Sequence, residues 1–279
     1  MADLSKILLV SDFDHTLTDH TGHIPQANID AIGRFMELGG MFTVCTGRSL
    51  PASRGLLQAV PTNAPLLFCN GAGCYDISTG TLPFCRPLPQ EAEALIGWCL
   101  EAFPDLRLEV HCLDKHYVFH IDAYCAALLQ RRGTPYACPE DLTQIPRPWV
   151  KFSLYSRNGD VPTIDLGSER GQYFCKAART IAQRGGDTFT VTHSMPGLIE
   201  VQIAGTSKGL AARELAEKLE RPVLVCVGDS PNDIPMLEEA DLAFRPSDGD
   251  PRIQDFPCPK AAPSHEGTVA DVIRILEQM

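Results

Sequence analysis

No run of apolar residues approaches the roughly 20 needed to span a bilayer; Ile7–Val10 and Val223–Val227, for example, are the size of strands. The opening residues Met1-Ala2-Asp3-Leu4-Ser5-Lys6 carry no basic region followed by a signal-length apolar one, so no export signal is expected. Positive charge is also scarce: 24 Lys+Arg stand against 35 Asp+Glu, a formal net charge of −11. Nucleic acid and anionic membranes both call for a basic face, so neither is expected as a partner, whereas a small anionic ligand needs only a local positive site. The 11 cysteines include no C-x-x-C pair, and an odd number in a chain of 279 residues fits neither a disulfide scaffold nor a zinc ribbon. Cys45, Cys69 and Cys226 lie in strand-like runs, where a thiol packs as a small hydrophobe. A reduced, cytoplasmic protein is the expectation. Internal repeats and low-complexity tracts are absent too. Hydrophobic residues make up 44% and charged residues 21%, enough for one large core or two modest ones.

The flanks of the chain alternate strands with helices. Lys6–Ser11 is a short apolar run of the kind buried in parallel sheets, and Asp12 stands at its end. A helix is expected over Pro25–Leu38, a strand over Met41–Cys45 ending in Thr46-Gly47-Arg48, and a strand over Leu66–Cys69 ending in Asn70-Gly71-Ala72-Gly73. Ser207–Leu219 reads as a helix with Ser207 as its N-cap, and Val223–Val227 as a strand ending in Gly228-Asp229-Ser230. This alternation predicts an α/β fold, a Rossmann-like parallel sheet with helices on both faces. The middle differs: helices over Pro89–Phe103, Asp122–Arg131 and Ser168–Arg184 lie among strands over Arg107–Cys112, His116–Ile121, Val150–Tyr155, Thr188–Thr192 and Leu198–Ile203. It reads as an inserted α+β domain at residues 82–203, leaving 1–81 and 204–279 as one discontinuous core.

In an open parallel sheet, ligands bind beyond the C-terminal strand ends. Four such ends carry Asp12 and Asp14, Thr46, Asn70, and Asp229 with Asn232 and Asp233, while Lys208 opens the preceding helix. Two carboxylates about 4 Å apart repel by about 4 kcal/mol at an effective dielectric near 20, so this pocket calls for a cation. Carboxylates and waters suit Mg²⁺. With the repulsion removed, a phosphate can approach Asp12, held by Lys208 and backbone N–H groups. Asp12 can then attack phosphorus, and Asp14, two residues on, can protonate the leaving oxygen. That second role asks for a carboxyl pKa raised by burial and neighbouring carboxylates.

Asp12-Phe13-Asp14-His15-Thr16 after an apolar strand resembles the first motif of the haloacid dehalogenase-like (HAD) phosphohydrolases. Thr46-Gly47-Arg48 resembles the second, Lys208 the third and Gly228-Asp229-Ser230-Pro231-Asn232-Asp233 the fourth, in matching order along the whole chain. Asn70-Gly71-Ala72 and the stretch from Leu198-Ile199-Glu200-Val201 to Thr206-Ser207-Lys208-Gly209 are similar to the Cof-type subfamily, whose members carry a large α/β cap where this chain has its insertion. The resemblance implies Asp12 as nucleophile and metal ligand, Asp14 as acid/base lending its backbone carbonyl to Mg²⁺, and Asp229 as the remaining carboxylate ligand. It implies that Phe13 (through its backbone), Thr46, Gly47, Lys208 and Asn232 grip the phosphoryl group. Arg48 and Asn70 become candidate substrate contacts, and Ser230 and Asp233 candidates for supporting the metal or Lys208. His15 departs from the pattern, standing where Cof-type members often have Gly.

The expected activity is a Mg²⁺-dependent phosphatase acting on a small phosphorylated metabolite, a sugar phosphate first, with the cap closing over it. A phosphomutase of the same fold, or an idle metabolite-binding protein, are the rival readings. The mutase needs a second phosphate site, and the insertion's Arg107, Lys115, Lys151 and Arg157 form no evident cluster in sequence. His111, Asp114, His116, His120, Lys151 and His193 are candidate cap contacts. The alternation over His116–His120 reads first as an ordinary half-solvated strand, Glu200 as a partner for a neighbouring strand, and Trp98 as core packing.

Overall fold

A computed structural model describes residues 3–157, 161 and 163–279. Along the chain the strands are β1 (Ile7–Ser11), β2 (Met41–Val44), β3 (Leu66–Phe68), β4 (Gly73–Asp76), β5 (Thr81–Cys85), β6 (Arg107–Cys112), β7 (His116–Phe119), β8 (Tyr136–Ala137), β9 (Trp149–Tyr155), β10 (Phe189–Met195), β11 (Leu198–Ile203), β12 (Val223–Val227), β13 (Leu242–Pro246) and β14 (Lys260–Ala261). The helices are α1 (Gln26–Glu37), α2 (Leu50–Leu57), α3 (Ala92–Ala102), α4 (Ala123–Arg131), α5 (Glu169–Gly185), α6 (Lys208–Lys218), α7 (Ile234–Glu239) and α8 (Thr268–Gln278). Among the described residues no helix is long and apolar enough to cross a membrane. Two compact units emerge: Met1–Arg48 with Gly55–Phe84 and Ser207–Met279, and Ser49–Arg54 with Cys85–Thr206.

The first unit is built on a five-stranded sheet of order β14-β13-β12-β1-β2, parallel at each pairing. Its centre explains the unbroken apolar runs: Leu8, Leu9 and Val10 of β1 and Leu224–Val227 of β12 have no measurable exposure, because helices cover both faces. One expectation fails here. The strand ending at Asn70 does not join this sheet as an ordinary fourth member. β3 forms its own sheet of order β3-β4-β5, antiparallel to β4, and touches the parallel sheet through a single bridge between Cys45 and Leu67. Three residues suffice to pair Leu66–Phe68 with Gly73–Tyr75, and the tight Cys69–Gly71 turn, with Cys69 and Asn70 at positive φ, sends the chain straight back.

The second unit holds a six-stranded sheet of order β10-β11-β9-β6-β7-β8. Leu108, Val110, Phe152, Leu154, Ile199 and Val201 point to one face and pack on α3 and α5 through Leu95, Ile96, Phe174 and Ile181. Trp98 packs at the edge of this core, as expected, with the Arg184 guanidinium 4.7 Å above its ring. The half-solvated reading of β7 is overturned: His116, Tyr117, Val118 and Phe119 are all buried, because Val118 meets Cys125 and Leu129 of α4 while Tyr117 and Phe119 join the main core.

Candidate active site

Strand register brings three chain segments level. Ser11 stands opposite Val227 on one side and Val44 on the other. Asp12 N–H donates to the Val227 carbonyl at 2.8 Å, and Cys45 N–H to the Ser11 carbonyl at 2.9 Å. The residues just past these points, Asp12, Thr46 and Asp229, therefore leave the sheet at one edge. Lys208 joins them as the first residue of α6, whose N-cap Ser207 accepts a hydrogen bond from Leu210 N–H at 3.1 Å.

Lys208 is 1% exposed and donates to Asp12 Oδ1 at 2.5 Å and to Asp233 Oδ1 at 2.6 Å. The second oxygen of Asp233 accepts the N–H groups of Asp229 and Ser230, both at 3.0 Å, and the Ser230 hydroxyl at 3.2 Å. Asp233 thus spends both oxygens on positioning Lys208 and the Asp229–Ser230 turn. Gly228 makes the fold-back feasible, since a Cβ there would meet Asp233 Cβ at 2.4 Å. Thr16, which the sequence did not single out, donates its hydroxyl to Asp229 Oδ1 at 2.8 Å. Its place in the first motif was visible; its partner, 213 residues on, was not.

Asp12, Asp229 and Asp233 each offer an oxygen within 4.8 Å of the others, all buried. Burial, reinforced by Asp233 and Asp229, holds the Asp12 carboxyl well above the usual carboxylate range against the pull of Lys208. Burial and Asp233 push Asp229 up to about 7. Lys208 stays charged: burial opposes it, but Asp12 and Asp233 hold its pKa well above the ordinary lysine value. Three buried carboxylates beside one ammonium leave an excess of negative charge within an all-oxygen donor set, which fits a hard divalent cation such as Mg²⁺.

Asp14 lies outside this cluster. Arg48 grips it through two hydrogen bonds, Nη2 to Oδ1 at 2.6 Å and Nε to Oδ2 at 2.9 Å, with the guanidinium 5.4 Å above the Phe13 ring. The expectation of a raised Asp14 pKa is therefore corrected: burial pushes it up, but the Arg48 hydrogen bonds and charge, with His15, outweigh burial and lower it. Arg48, a candidate substrate contact, is engaged with Asp14 here. His15 takes φ +62°, the left-handed conformation that glycine adopts freely, and its N–H donates to Thr18 Oγ1 at 3.2 Å.

Asn70 reaches the site from its separate sheet. Its N–H donates to the Thr46 carbonyl at 2.9 Å, and its Oδ1 lies 3.5 Å from Asn232 Nδ2. Gly47 lets it in close, because a Cβ there would sit 2.8 Å from Asn70 Oδ1. Thr46 is buried and accepts the Arg48 N–H at 3.2 Å. In the second unit Lys151 is paired with Glu200 across neighbouring strands, as anticipated for Glu200, while Asp114 and His120 are exposed. The side chain of His193 lies outside the described residues.

A family model described as haloacid dehalogenase-like hydrolase matches residues 9–273. The chain is 26% identical over 244 residues to the 5-amino-6-(5-phospho-D-ribitylamino)uracil phosphatase YcsE of Bacillus subtilis, covering 86% of this chain and 83% of that protein. Its fold is similar to that of a haloacid dehalogenase-like hydrolase from Bacteroides thetaiotaomicron, with TM-score 0.82, 18% identity, and 96% and 98% of the two chains covered. It is also similar to the HAD subclass IIB sugar phosphatase BT4131, with TM-score 0.77, 16% identity, and 98% and 99% covered. The match across nearly the whole chain identifies the protein: it belongs to the haloacid dehalogenase-like hydrolases and is one of their Cof-type phosphohydrolases.

Proposed function

We propose that this chain is a Mg²⁺-dependent phosphatase that hydrolyses a small phosphomonoester, a phosphorylated sugar or polyol first among them, through an aspartyl-phosphate on Asp12. The observation that carries the reading is the buried Asp12–Lys208–Asp233 array at the end of the parallel sheet. Asp12 and Asp229 would hold the cation together with the Asp14 carbonyl. Bound there, Mg²⁺ neutralises the carboxylates and the substrate phosphate and polarises the phosphoryl oxygens.

The residues of the chain do the rest. Lys208, Thr46, Gly47, Asn232 and the Phe13 backbone hold the phosphoryl oxygens, with Asn70 bracing Asn232. Asp12 attacks phosphorus; the ester P–O bond breaks, and the departing alkoxide takes a proton from Asp14. Asp14, now a carboxylate, removes a proton from water as that water attacks phosphorus, and the acyl-phosphate P–O bond breaks to restore Asp12. Before the first step Arg48 must release Asp14, which then takes up a proton from solvent, and an incoming phosphate is the natural competitor for the guanidinium. The names of the relatives support the substrate class, since the B. subtilis protein acts on a phosphorylated ribityl chain and BT4131 is a sugar phosphatase. The mutase reading loses ground because Arg107 and Lys151 are each engaged with a buried carboxylate, Glu109 and Glu200.

The experiment is phosphate release, with and without Mg²⁺, from sugar phosphates, a ribitylamino-uracil phosphate and nucleotides. Asp12→Asn is assayed alongside and is expected to lose turnover. Release that survives Asp12→Asn would remove the proposed nucleophile.

A further inference from the structure

The second unit's sheet has an unusual reverse face. Opposite the apolar core, β6, β9, β11 and β7 carry Glu109, His111, Lys151, Glu200 and His116, all buried. Four of these five are satisfied. Arg107 Nε donates to Glu109 Oε1 at 2.9 Å, and Lys151 pairs with Glu200. His116 Nδ1 lies 3.0 Å from Glu109 Oε2, while its Nε2 lies 2.5 Å from Ser49 Oγ. His111 is the exception. It is 2% exposed, its ring centre lies 4.2 Å from that of His116, and neither of its nitrogens has a hydrogen-bond partner. An unsatisfied buried polar group costs about 1–3 kcal/mol and calls for a reason.

We propose that Glu109, His111 and His116 form a second metal site, for a divalent transition ion of the Zn²⁺ type, distinct in ligand chemistry from the aspartate cluster. One ligand atom from each residue lies within 4.8 Å of the others. A tetrahedral ion with bonds of about 2.0–2.2 Å sets its ligands about 3.3–3.6 Å apart. Glu109 Oε2 and His116 Nδ1, 3.0 Å apart, stand a few tenths of an ångström inside that spacing, and a His111 nitrogen lies within 4.8 Å of them, so closure asks for a slight opening of the pair and a swing of the His111 ring. Two imidazoles and one carboxylate select Zn²⁺ or Co²⁺ over Mg²⁺, which prefers oxygen alone.

The surroundings fit the assignment. In the resting pair His116 Nδ1–H donates to Glu109 Oε2; an incoming ion would displace that proton, with Ser49 Oγ accepting the Nε2–H and Arg107 holding the other Glu109 oxygen, Oε1. His111 is buried and neither ring nitrogen is committed to a hydrogen bond, so either can turn to the ion. Lys151 is neutralised by Glu200 and adds little repulsion.

The test uses the full chain, stripped with chelator, then given excess Mg²⁺ to fill the aspartate cluster, and titrated with Co²⁺. One ion per chain is expected to be retained against Mg²⁺, with the visible spectrum of tetrahedral Co²⁺ and imidazole scattering in X-ray absorption. Retention should persist in Asp229→Asn and fall in His111→Gln by more than the roughly 10–100-fold that outer ligand-support changes cost. The absorption measurement needs no variant, so misfolding of His111→Gln leaves the test intact. No ion retained against Mg²⁺, or a retained ion without imidazole ligands, overturns the site and returns His111 to a plain buried histidine. Neither outcome bears on phosphate release, which rests on Asp12.

Discussion

Replacing Lys208 with methionine keeps the volume of a side chain that is 1% exposed and removes only its charge. The ammonium sits 2.5 Å from Asp12 and 2.6 Å from Asp233, so its loss strands two buried carboxylates beside a third, Asp229. Breaking a buried ion pair by deleting one partner costs about 3–5 kcal/mol. A chain of this size loses about 2–4 °C in Tm per kcal/mol, so metal-free Lys208→Met should melt about 6–20 °C below the unsubstituted protein at about pH 8. The carboxylates have two ways to shed the strain, protons and cations, and each gives a check. Asp229 already sits at about 7 in the folded chain against an ordinary 3.8. Between those values the folded state binds a proton that the unfolded state does not, so the stability it contributes is complete below the lower value and lost as pH rises through the upper. Without Lys208 this window widens upward, and the melting deficit should shrink toward about pH 5. Mg²⁺ should shrink it at about pH 8 as well, because a divalent ion replaces the missing charge. Calorimetry across pH, with and without Mg²⁺, reads all three. A variant that melts with the unsubstituted protein at high pH, or whose deficit ignores both protons and Mg²⁺, refutes the reasoning that Lys208 balances the cluster.

The unsubstituted protein, stripped of metal, should itself lose Tm as pH rises from about 4 through about 7, and the stabilisation by Mg²⁺ should grow over the same range; a pH-independent Mg²⁺ effect would contradict the Asp12 and Asp229 assignments. Arg48→Ala removes two hydrogen bonds and a neighbouring positive charge from Asp14, so the Asp14 pKa should rise and the basic limb of the pH–rate profile should move to higher pH. An unmoved limb would detach Arg48 from control of Asp14. Gly228→Ala forces a Cβ to within 2.4 Å of Asp233 Cβ; denaturant unfolding should show a loss of about 1–3 kcal/mol, with turnover falling as Lys208 loses its alignment.

What the sequence disclosed and what it hid divide along one physical line. Asp12, Thr46 and Asp229 were legible because each follows an apolar run too uniform for anything but a strand covered on both faces, and strands of one parallel sheet must end together. Ser207 was legible because a capping hydroxyl acts on a backbone three residues away. Local rules stop at pairing. The apolar run before Asn70 announces a strand but not its partner, and β5, with Pro83 and exposed residues at Thr81 and Leu82, carries too weak an apolar pattern to announce itself at all. The alternation in His116–Phe119 sets His116 and Val118 on one face and Tyr117 and Phe119 on the other, yet the first face is buried too, because α4 covers Val118 while Glu109 and Ser49 meet His116. Composition cannot separate a polar residue facing water from one facing a buried partner. The same blindness explains Asp14. Its position two residues after Asp12 advertises acid/base chemistry, but its protonation is governed by Arg48, 34 residues away, whose motif was visible while its direction was not. The resting pair therefore has a functional meaning that the motifs alone do not carry. In the proposed mechanism the acid is withheld as a carboxylate until something competes for the guanidinium, and the substrate phosphate is the competitor that the mechanism supplies.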